Sequence, residues 1–77
     1  MKLKLTRHVQ DMISCRGINL DHIKQTLRNP DTQEETFAER VKVSKNVGEK
    51  TIEVIYYKEA FKDKGDEYLI ITAYYLE

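Results

Sequence analysis

Seventy-seven residues, 40% hydrophobic and 34% charged, suit one small folded domain with a thin stability margin rather than a disordered chain. One cysteine, Cys15, excludes an internal disulfide and a cysteine-rich metal site, and no apolar run approaches the ~20 residues of a membrane span. Formal net charge is zero, yet residues 1–30 carry six Lys/Arg against two acids and residues 31–77 seven against eleven, so a local basic surface is compatible with the neutral total.

The basic, apolar start "MKLKL" is followed by no run long enough for a signal peptide, and a cytoplasmic setting is expected. Residues 2–5 alternate charged and apolar side chains as a short strand would. Thr6 then suits an N-cap, because its hydroxyl can accept from an orphan amide one turn on. From Arg7 the apolar period changes to three and four (Val9, Met12, Ile13). Arg16 complements the dipole at the end of this helix, and Gly17 supplies a left-handed stop.

A second helix follows in "INLDHIKQTLRNPD". Asn19 caps it, Asp21 adds negative charge to its first turn, and Ile18 can staple to Ile23. Asn29-Pro30 ends it. Both helices are short and need a surface to pack on. "DTQEE" reads as a connection. After it the period becomes two, with Phe37, Val41 and Val43 on one face and Arg40, Lys42 and Ser44 on the other. "NVGEK" reads as a hairpin turn around Gly48. In "TIEVIYY", Ile52, Val54 and Tyr56 alternate against Glu53, Ile55 and Tyr57. "KEAFKDKGDE" is a polar connection turning at Gly65. "YLIITAYYL" is a nearly continuous apolar run, as of a strand covered on both sides, and belongs at the centre of the sheet, since exposed it is an aggregation hazard.

The expected fold is α+β, in the order β-α-α-β-β-β, with two helices on one face of a mainly antiparallel sheet of three to four strands. Strict alternation places Arg40, Lys42, Thr72 and Tyr74 together on the other face.

Metal and nucleotide chemistry find little support. His8 and Cys15 are seven apart, about 10.5 Å along a helix, too far to share one zinc ion whose bonds are about 2.0–2.3 Å. "KDKGDE" has one glycine and no Lys-Ser/Thr pair, so it is no phosphate loop. No cofactor is expected. Cys15, without a partner base, reads as a buried structural thiol.

Metal-free RNA cleavage is the chemistry these residue types allow. It needs a base for the ribose 2′-hydroxyl and donors for the charge growing on phosphate. Histidine is the residue type suited to be such a base, and His8 is the candidate. Arg40 and Lys42 are suited to hold phosphate, Thr72 to donate to it, and Tyr74 to contact a base. Each also has an ordinary reading, as a helix-start histidine, solvated cations and strand-forming residues.

The order Thr6, His8, Arg16-Gly17-Ile18, Ile23, Leu27, Pro30 and "IITAY" (residues 70–74) resembles the bacterial family called domain of unknown function 4258. The resemblance spans most of the chain through short motifs. It implies a RelE-like or barnase-like fold of the ribonuclease toxin group, with His8, Arg40 and Thr72 as catalytic candidates. Lys42, Tyr74 and Arg16 are the substrate-binding candidates, and a cognate antitoxin is the implied partner. Met12 stands where many members carry arginine, which removes one phosphate ligand. Two other readings stand beside it. One is a protein-interaction or homodimer module built on Tyr56, Tyr57, Tyr74 and Tyr75; the other is RNA binding without cleavage.

Overall fold

The computed structural model describes residues 2–36, 38–57 and 67–76. Seven elements follow one another: β1 (Lys2–Leu5), α1 (Arg7–Arg16), α2 (Leu20–Arg28), β2 (Thr32–Glu35), β3 (Arg40–Asn46), β4 (Thr51–Tyr57) and β5 (Glu67–Leu76). The architecture is α+β, with two helices and a five-stranded sheet in the order β1-β5-β4-β3-β2. β2, β3, β4 and β5 pair antiparallel in turn, while β1 lies parallel to β5.

The helix boundaries follow from local chemistry. The Thr6 hydroxyl accepts from the Val9 N–H at 3.1 Å, and Gly17 closes α1 at φ +65°, a left-handed turn that favours glycine. Asn19 caps α2 by accepting from the Asp21 N–H at 2.8 Å. At the other end of α2, Lys45 donates to the Asn29 carbonyl at 3.1 Å and pairs with Asp31 at 3.7 Å. The Asp31 carboxylate also accepts from the Asn46 N–H, which ties the helix exit to β3.

One core forms where both helices meet the sheet. Val9, Ile18, Ile23 and Leu27 of the helical layer are buried with Val41, Val43, Ile52, Val54, Tyr56, Ile70 and Ala73 of the strands. Ile18 and Ile23 are both in it, as the staple expectation requires. Tyr75 reaches up from β5 to fasten the start of α2. Its hydroxyl accepts from the Asn19 N–H at 3.1 Å and stands 2.9 Å from His22 Nδ1, to which it is free to donate. His22 is thereby a helix-to-sheet fastener.

Three expectations need correction. "DTQEE" is not merely a connection: residues 32–35 form β2, the fourth antiparallel partner, whose side chains are all exposed. The sheet therefore has five strands, and β5 sits one place in from the edge, beside a parallel β1. Cys15 is exposed, on the solvent side of α1. Phe37 and the connection at residues 58–66, with its turn at Gly65, lie outside the described residues. No helix among the described residues is long and apolar enough to cross a membrane.

Ile23, fully buried between α2 and the sheet, is the sharpest test of this core. Ile23→Ala is expected to cost about 2–5 kcal/mol in urea denaturation, a large share of the margin of so small a domain. Leu20→Ala, at an exposed position of the same helix, is expected to cost less than about 0.5 kcal/mol.

Candidate functional site

Strand pleating separates side chains between the helix layer and an open sheet face. In β3, Val41 and Val43 enter the core, so Arg40 and Lys42 project from the open face. In β4, Ile52, Val54 and Tyr56 enter the core, so Glu53, Ile55 and Tyr57 share that face. Tyr74 of β5 stands opposite Glu53 and joins them.

These groups form two adjoining clusters. In one, the Tyr74 hydroxyl donates to Glu53 Oε1 at 2.7 Å, and Lys42 Nζ lies 3.7 Å from the same oxygen and 3.5 Å from Glu34. The Glu53 side chain is only 12% exposed. Taking a carboxylate out of water is costly unless it is paired and hydrogen-bonded, and Glu53 has both kinds of partner. Its negative charge holds the Tyr74 phenol above the usual tyrosine range: the hydrogen bond contributes most, then burial, then charge repulsion against a second anion.

In the other cluster, the Arg40 guanidinium lies 5.5 Å from the centre of the Tyr57 ring, with a long 3.5 Å contact from its terminal nitrogen to the Tyr57 hydroxyl. Arg40 Nε is buried and has no hydrogen-bond partner. Beside it, a cavity of about 260 Å³ is lined by Glu35, Thr36, Ala38, Glu39 and Arg40. Ala38 and Glu39 both take positive φ (64° and 59°), a backbone shape that β-hairpins use and that side chains disfavour.

The structure brings Lys42 and Tyr74 together through Glu53, with Arg40 on the same face. It does not bring His8 or Thr72 to them. His8 is exposed on the first turn of α1, in the layer across the sheet from Arg40. Thr72 stands opposite Ile55, with the register shift and the unpaired Ile71 just before it. Its hydroxyl lies 3.8 Å from the sulfur of Met12 in α1. His8, exposed, lies one helical turn before Met12 on α1. Arg16 is exposed at the far end of α1. Among the described residues, no group of three or more His, Cys, Asp or Glu side chains is placed to hold a metal ion.

Glu53 was not anticipated as a site residue. Its signal was a carboxylate in mid-strand between Ile52 and Val54, where burial on both sides leaves a charge little water. No family model, curated protein or solved structure matches the chain.

The Tyr74–Glu53 bond makes a signed prediction. Because the fold raises the Tyr74 pKa above its ordinary 10.0, that part of the stability is complete below pH 10.0 and is lost as pH rises through the folded value. Tyr74→Phe is expected to cost about 1–3 kcal/mol at neutral pH, by leaving Glu53 short of a donor. Denaturation midpoints measured across the alkaline range should fall more steeply for the wild type than for Tyr74→Phe.

Proposed function

We propose that this protein is a recognition module that docks a protein partner on the open face of its sheet. The observation that carries this reading is the state of that face. Ile55, Tyr57, Leu69 and Tyr74 are half-buried there, outside the core, while Lys42 and Arg40 beside them are already engaged by Glu34, Glu53 and Tyr57. Apolar and aromatic groups framed by paired charges are the make-up of a protein interface. A phosphate-binding surface needs cations free to replace counterions, and Lys42 would have to leave two carboxylates first. An antitoxin-like protein partner, which the family resemblance implies, is compatible with this use of the face.

A second reading, metal-free RNA cleavage, is favoured by one observation. The Thr72 hydroxyl lies 3.8 Å from the sulfur of Met12, which is one helical turn along α1 from His8. The Met12 thioether beside Thr72 stands where many members of the resembled family carry arginine. This arrangement has a base and a donor but lacks a cation for the developing phosphate charge.

One pair of experiments separates the readings. Protein immobilised from the wild type and from His8→Ala is expected to retain the same partner from lysate of the source cells. The folded double variant Tyr57→Ser/Leu69→Ser is expected to lose it. Mixed-sequence RNA with EDTA present should stay intact with wild type and with Met12→Arg. Cleavage by wild type that His8→Ala abolishes, or cleavage gained by Met12→Arg, would overturn the recognition reading in favour of the nuclease.

A further inference from the structure

The sheet has an unequal edge. β1 pairs with β5 only from Glu67 to Ile70, ending where Leu5 meets Ile70. The chain then leaves the sheet at Thr6 to begin α1. β5 continues to Leu76, bonded to β4 on one side. On the other side, among the described residues, no strand lies beside residues 71–76. Half of the most apolar strand thus ends in a notch, in line with β1.

The other strand edges carry charges that discourage pairing. The β1 sequence holds two lysines in four residues, and β2 carries Glu34 and Glu35. A copy of the chain added along either edge would set like charges side by side. Residues 71–76, "ITAYYL", hold no charge at all. Leu76 is 40% exposed, one of two large hydrophobic side chains left so open among the described residues. An uncharged, β-branched and aromatic edge of this kind is the hazard that folded proteins usually cover.

We propose that a second copy of this chain fills the notch, β5 against β5 in antiparallel register across a twofold axis. Side-chain direction selects the register. Directly opposed residues of an antiparallel pair point to the same side, so Ala73 and Tyr75, which face the helices, must meet each other or themselves. One register pairs them with each other: centred on Tyr74, it sets Tyr74 against its own copy and Ala73 against Tyr75, and ends clear of β1. Centred on Ala73, it would set Tyr75 against Ile71 and run the second copy's Leu76 up to Ile70, beside which Leu5 already lies; centred on Tyr75, it would carry Ala73 past the end of β5. The geometry therefore points to Tyr74 on the twofold axis, with the two sheets joined into one and their open faces continuous. This inference does not depend on what the open face binds.

Disulfide trapping tests it directly. In a Cys15→Ser background, which removes the exposed native thiol, Tyr74→Cys would place two cysteines opposite each other at about 4.5–5.5 Å between Cα atoms, within disulfide reach. Mild oxidation is expected to convert this variant to a covalent dimer. The control Cys15→Ser/Gln33→Cys, on the β2 edge, should remain monomeric. Sedimentation of unmodified wild type should show a concentration-dependent species of twice the 9.1 kDa chain mass. Wild type that stays monomeric at millimolar concentration would overturn the proposal, as would equal trapping of the two cysteine variants.

Discussion

β4 is the element on which the rest depends. It is the middle strand of five, and its two faces do different jobs. Ile52 and Val54 are wholly withdrawn from water beneath the helices, while Glu53 between them is nearly buried on the opposite face. Both helices are too short to be stable alone, so their order is borrowed from the apolar surface that β4 and its neighbours offer. The open face depends on the same strand, because the Glu53 carboxylate organises Tyr74 and Lys42 from the strands on either side.

That arrangement gives the open face its character. A buried carboxylate fixes where its donors stand, and so it immobilises a tyrosine and a lysine that would otherwise be free to meet a ligand. Arg40 is held differently, by the face of Tyr57. The result is a surface on which Lys42 and Arg40 already have partners and on which aliphatic and aromatic groups stand half-buried beside them. Such a surface gains more by excluding water against another apolar surface than by attracting a polyanion.

Much of the fold was legible where local rules act alone. Thr6, Gly17 and Asn19 mark helix ends by chemistry confined to a single turn, and the period-two patterns of β3 and β4 assign their faces correctly. β2 was not legible. "TQEE" is exposed on both sides and joins the sheet through its backbone and the Thr32–Ser44 hydroxyl contact, so it carries no hydrophobic alternation to read. The parallel pairing of β1 with β5 joins residues more than sixty positions apart, beyond any local pattern. For the site, Arg40, Lys42 and Tyr74 were placed on one face correctly. The contact of Thr72 with Met12 was not legible, because it joins distant residues beside a bulge that leaves no mark in composition.

The parallel β1–β5 ladder also has a consequence in time. β1 has no strand to join until β5 exists, although it precedes both helices in the chain. During synthesis α1, α2 and the β2–β3–β4 meander can assemble from near neighbours, while β1 waits for a partner made last. Closing so long a loop is slow compared with forming a hairpin, which makes the docking of β1 a natural late step in folding. Until then the full length of β5, and not half of it, offers a bare edge. The two lysines of the β1 sequence put charge on the strand that waits.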